Sequence, residues 1–174
     1  MKARHLAPSA IALAVGLLVA SVVSSQEVDE HLLLLEPLTG VTWVGHFVES
    51  PDSGLVHVVR WDPVLNGAVI RSTKEVTTLS FRMETLYFWD WEEEEISFLQ
   101  LTSRGIFSRG TVAIAEDKVT LSGRSVRPNS VSEFRQTFEI RPDGTLHDYF
   151  YRKDDGEWKL GHRIVYTRQE RTNG

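Results

Sequence analysis

The 174-residue chain contains no cysteine, which removes disulfides, thiolate nucleophiles and thiolate metal sites together. Stability must therefore come from core packing. No apolar stretch reaches the roughly 20 residues that a membrane-crossing helix needs; the longest, Ile11 to Val23, falls short. Lysine and arginine are not clustered anywhere, and the formal charge is −5, so a nucleic-acid backbone is not an expected partner. Motifs that carry chemistry are also missing: there is no HExxH, no Gly-x-Ser-x-Gly elbow and no phosphate-cradling glycine loop. Nothing in the spacing of residues points to an enzyme.

What is present begins with a different texture over residues 1–25. MKARH supplies early positive charge, IALAVGLLVASVV is apolar, and small residues follow, the layout of a secretory signal peptide cut after Ser25 with Val23 at the minus-three position. The lipid-attached variant needs a cysteine at the cut and is excluded. Export to a periplasmic or extracellular location is the expectation, without an integral membrane anchor. Without Lys2 and Arg4 the 19 basic residues become 17 against 24 acidic, a balance of −7.

Residues 26–40 form a short lead-in. VDEHLLLLEPL offers Asp29 as a helix cap, four consecutive leucines, and Pro37 and Gly40 as stop signals, so one or two helical turns are expected. A helix that short needs its leucines laid against something larger.

From residue 41 to about 170 the pattern is all-β. Turn clusters such as PDSG (51–54), LNG (65–67), SRG (103–105), RPDG (141–144) and KDDG (153–156) recur every 8 to 14 residues. About ten strands are expected, near 41–49, 55–62, 67–75, 81–90, 95–102, 106–114, 118–124, 131–140, 145–152 and 157–168. The connections are too short for parallel crossovers, so neighbours pair antiparallel in an up-and-down meander. An even count lets the last strand close on the first, which removes exposed edges; an open sandwich satisfies the same alternation.

Alternation places Trp158, Leu160, His162, Ile164 and Tyr166 on one face of the last strand, and Phe134, Gln136, Phe138 and Ile140 on one face of the eighth. His57 falls with Leu55, Val59 and Trp61, Gln100 with Ile96 and Phe98, and Asp148 with Leu146 and Phe150. A ten-strand barrel is wider than its side chains fill, so these mixed faces would line a cavity for a small hydrophobic or amphipathic molecule. The ligand-binding candidates are His57, Trp61, Gln100, Gln136, Asp148 and His162. The same polar groups could equally sit at strand ends or satisfy one another. His46 has the parity opposite to Trp43 and should face solvent. His57 and His162 could meet inside the barrel, and with Asp148 or Glu84 would make a zinc or copper site. The carboxylates of FWDWEEEEISF read as a solvated hairpin tip more readily than as a calcium loop.

GVTW, Gly40 to Trp43, resembles the opening of the calycin superfamily, which comprises lipocalins, fatty-acid-binding proteins and bacterial lipocalin-like barrels. Those begin with a short helix and a Gly-x-Trp on the first strand; here the spacing is Gly-x-x-Trp. The resemblance implies structural roles for Gly40 and Trp43, with Arg168 or Arg163 from the last strand packed over the indole. By analogy with the few enzymes of this fold, Arg82, Glu84, His57 and His162 would be the groups to examine. The pair of Trp43-Val44-Gly45 and His162 to Arg168 is also similar to nitrobindin-type haem barrels, which would make His162 an axial haem ligand. A third reading is an interaction module that uses surface loops such as RPNS or WEEEE.

Overall fold

The computed structural model describes residues 27–50 and 53–169. The expected signal segment, residues 1–25, lies outside them. A 3₁₀ helix, Glu30–Leu38, leads into ten strands: β1 (Thr42–Phe47), β2 (His57–Val64), β3 (Val69–Val76), β4 (Phe81–Asp90), β5 (Glu95–Thr102), β6 (Phe107–Ala115), β7 (Lys118–Arg127), β8 (Ser130–Ile140), β9 (Leu146–Asp154) and β10 (Glu157–Gln169). Each strand pairs antiparallel with its sequence neighbours. The ladder from Thr42–Gln169 to Phe47–Ile164 joins β1 to β10 and closes the barrel. The even count permits closure: after ten passes the chain returns antiparallel to its starting strand.

The helix covers one end. Asp29 caps it, its carboxylate accepting the His31 backbone N–H at 3.0 Å, and the Asp29 N–H donates to Gly67 O in the β2–β3 turn. Nine residues of 3₁₀ geometry are long for that poorly bonded helix type, so tertiary burial must hold it. Leu32, Leu35 and Leu38 are buried against the barrel, each contributing about 1.5–3 kcal/mol, while Leu33 and Leu34 stay exposed. His31 stacks on Trp89 of β4, with ring centroids 4.1 Å apart. Trp43 donates from Nε1 to Leu38 O at 3.1 Å, tying the first strand to the end of the helix.

Beneath the helix lies an aromatic core. Trp61 stacks on Tyr87 at 4.8 Å and meets the edge of Phe138, with Ile70, Leu146 and Ile164 fully buried around them. Gly45 makes room for Tyr166, because a Cβ there would sit 2.5 Å from the ring. Arg168 lies opposite Trp43 in the β1–β10 ladder but is exposed, and the cation–ring contacts among the described residues fall elsewhere.

One strand departs from simple alternation. In β10 the register passes from Leu160–Tyr151 directly to His162–Phe150, so Gly161 is an extra residue, a β-bulge. The bulge reverses parity. His162, Ile164 and Tyr166 face inward as expected, whereas Leu160 is 50% exposed and Trp158 packs outside under Arg135, 4.3 Å from its ring. A Cβ on Gly161 would meet Phe150 Cδ1 at 2.9 Å, which is why the bulge residue carries no side chain.

Candidate functional site

The end opposite the helix is open, and a chamber of about 260 Å³ enters there. Its wall is built by β1 (Phe47), β2 (His57), β3 (Lys74, Val76), β5 (Gln100), β8 (Gln136) and by Phe150 and His162 across the β9–β10 ladder. Four of the six sequence candidates meet here: His57, Gln100, Gln136 and His162. Trp61 and Asp148 lie deeper; both are fully buried and neither forms the wall.

Asp148 is the centre of a buried polar cluster. Its carboxylate accepts from Gln136 Nε2 at 2.8 Å, Lys74 Nζ at 3.3 Å and Tyr166 Oη at 3.5 Å. A carboxylate without solvent contact is tolerable only with such partners, and the adjacent ammonium matches its charge. Burial, reinforced by Asp148, holds the Tyr166 phenol well above its ordinary pKa, so it stays a donor. Gln100 turns its amide to Thr85 Oγ1 at 3.3 Å. Gln136, Asp148 and Gln100 are thus bonded, whereas Trp61 Nε1 is buried without a partner among the described residues.

The imidazoles behave differently. His57 is 4% exposed, and neither ring nitrogen has a hydrogen-bond partner among the described residues. Phe47 meets its ring edge-to-face at 4.5 Å. Burial, with Lys74 adding to it, pushes the His57 pKa down to about 4. His162 lies parallel to Phe150 at 5.0 Å and edge-to-face with Phe47 at 5.5 Å; burial lowers its pKa to about 4 against the opposing pull of Asp148. Both rings are neutral near pH 7. Because the His57 nitrogens and His162 Nε2 are shielded, what the chamber meets is mainly carbon.

A second chamber of about 250 Å³ adjoins the first and shares Phe81, Met83, Gln100, Arg104 and Phe150 with it. Its remaining wall is mixed, with the apolar Ile106 and Phe134 beside Arg127, Arg152, Thr102, Ser108, Ser125 and Ser132. At the helix-covered end a third concavity of about 350 Å³ lies between Leu34, Pro37 and the β6–β7 and β8–β9 turns.

Among the described residues no group of three His, Asp or Glu side chains could hold a metal ion, so the arrangement of His57, His162 and Asp148 or Glu84 is not assembled as a metal site. Glu84 points outward and is exposed, and Arg82 pairs with Glu75 at 3.3 Å. His46 is exposed, as its parity predicts. The WEEEE tip is a solvated turn in which Asp90 accepts the backbone N–H groups of Glu92 and Glu93, and Trp91 is 76% exposed. Lys74 and Phe47 are wall residues that sequence reasoning missed. In VIRSTKEV both faces of β3 carry polar or charged residues, so alternation does not say which side Lys74 takes.

Compared with known proteins, the chain matches no family model and no curated protein.

Proposed function

We propose that the protein is an exported, calycin-like barrel that holds a small hydrophobic or amphipathic molecule in its open-end chamber and performs no chemistry on it. The observation that carries this reading is the mostly apolar chamber at the end away from the helix, about 260 Å³ walled by Phe47, Val76, Met83 and Phe150, above a core centred on Trp61 and Tyr87. Apolar concavities with a few buried polar groups are the usual form of small-ligand sites. The nearest thing to a reactive set, Lys74 with Asp148, is an ion pair secured by Gln136 and Tyr166. Export rests on the charged, apolar and small-residue pattern of residues 1–25.

A haem bound through His162 fits this geometry less well. His162 Nε2 is buried, and Phe150 covers a face of the ring.

Native mass spectrometry of the protein purified from its exporting host, with dye displacement as a second readout, should reveal a retained small molecule. N-terminal sequencing should begin at Gln26. Absence of any bound or displaceable ligand across fatty acids, alcohols, retinoids and haemin would remove the binding proposal, and an uncut N-terminus would remove the processing proposal.

A further inference from the structure

We infer that the ligand is an amphipathic anion, its apolar body inside the chamber and its charged head at the rim on Arg104, Arg127 and Arg152; this rests on the cavity reading above. The reason lies in where unmatched charge is found. The charged side chains on the walls of the two adjoining chambers are Lys74, Arg104, Arg127 and Arg152, and no acidic residue is among the wall residues. Lys74 is already neutralised by Asp148. The arginines are not.

They come from three separate places: Arg104 from the β5–β6 turn, Arg127 from the last position of β7, and Arg152 from β9. None of the three side chains makes an ion pair or a hydrogen bond among the described residues. Arg152 acts at longer range on Asp154, whose carboxylate is bound by Lys159 at 2.9 Å. Elsewhere, Arg82, Arg141 and Arg163 have Glu75, Glu139 and Glu49 as partners. In a chain with a net charge of −5, three guanidinium groups on one concavity with no carboxylate on its wall make a locally positive site.

The rim is also prepared for oxygen. Arg104 lies over the Phe81 ring at 5.4 Å, which limits the wandering of its planar donor fork, and Ser125 and Ser132 bring hydroxyls to the same chamber, Ser125 accepting from Ser108 at 3.2 Å and keeping its own O–H to donate. Deeper in, the polarity is wrong for a charged head: the imidazoles are neutral and mostly show carbon, and the one ammonium is matched. An anion therefore stays at the rim while the body fills the inner chamber. About 260 Å³ corresponds to roughly nine waters of liquid volume, room for a short chain or a single ring rather than a two-chain lipid.

The test is calorimetric titration of the purified protein at pH 7.5 with octanoate, octyl sulfate, 1-octanol and octyltrimethylammonium. The two anions should bind about tenfold more tightly than octanol, with the cation weakest. That preference should shrink severalfold between about 0.05 and about 0.5 M NaCl. Arg104→Gln, Arg127→Gln and Arg152→Gln combined should abolish the preference, and Arg127→Gln with Arg152→Gln, which leaves the inner chamber's wall untouched, should reduce it severalfold with octanol binding intact. Preference for octanoate alone identifies a carboxylate, and for octyl sulfate alone a tetrahedral oxyanion; either supports the inference. Octanol equalling both anions, or the triple variant keeping the preference, overturns it and leaves the cavity reading standing. Failure of every probe, octanol included, overturns both.

Discussion

Acidification should destabilise this barrel from about pH 6.5 downward, as its buried imidazoles resist protonation. His57 has a folded pKa of about 4 against an ordinary 6.5, with burial as the main cause. Between those values the unfolded chain binds a proton on His57 that the native protein refuses, so each step down in pH favours unfolding. Stability contributed in this way is complete above pH 6.5 and is lost progressively toward pH 4. A shift of that size corresponds to about 3 kcal/mol at the limit, and to about 2.5 kcal/mol by pH 4.5. His162, also held at about 4 by burial, acts in the same direction, and the two rings disfavour each other's charge, so a second proton is no easier to admit. His147, lowered by burial and Arg141, adds to the trend.

The carboxylates do not obscure this window. Asp29, Glu133, Asp143 and Asp154 are held below their ordinary 3.8 to 4.5 by hydrogen bonds from His31, Lys153, Thr145 and Lys159, so what they contribute is lost only at more acidic pH. Against a typical total stability of about 5–15 kcal/mol, a loss of about 2.5 kcal/mol or more is easily measured. Urea titrations followed by tryptophan fluorescence at pH 7, 6, 5 and 4.5 should show a falling midpoint in the wild type. His57→Phe should flatten the slope while keeping the aromatic packing on Phe47. A wild-type midpoint unchanged from pH 7 to 4.5, or a His57→Phe slope equal to the wild type, would refute the claim that this imidazole is buried neutral.

Lys74→Met strands the Asp148 carboxylate and should cost about 3–5 kcal/mol, while Lys74→Met with Asp148→Leu should recover most of it; a double variant as unstable as the two single changes summed would deny the coupling. Deleting Gly161 erases the bulge and forces either Leu160 inward or His162 outward, with an expected loss of about 3 kcal/mol or more by chemical denaturation; unchanged stability would show that the bulge does not set the faces of β10. Leu35→Ala should cost about 2–5 kcal/mol, because Leu35 is fully buried under the helix. Trp43→Phe, which removes the bond to Leu38 O, should cost about 1 kcal/mol and speed hydrogen exchange in the helix; protection equal to the wild type would mean that the indole does not tether it.

Much of the architecture was legible in the chain because it is local. Turn residues every few positions and period-two alternation require neither partner nor depth, so ten antiparallel strands and the outward His46 could be read directly. Alternation gives the side of a sheet, however, and not the depth along a barrel. His57 and Trp61 share one face of β2, yet the first walls the open chamber and the second is locked into the plugged half, because the helix fills one end only. The pairing of Lys74 with Asp148, 74 residues apart, exists only once the sheet has curled round. A single extra residue at Gly161 reversed two side chains that simple counting placed inside. The sequence by itself determined the number of strands, their antiparallel order and a mixed inner face, since those follow from backbone geometry and spacing along the chain. Closure of β1 onto β10, the unequal filling of the two ends and the gathering of three arginines at one rim were decided by the tertiary structure, because each depends on distances between residues that only folding makes neighbours.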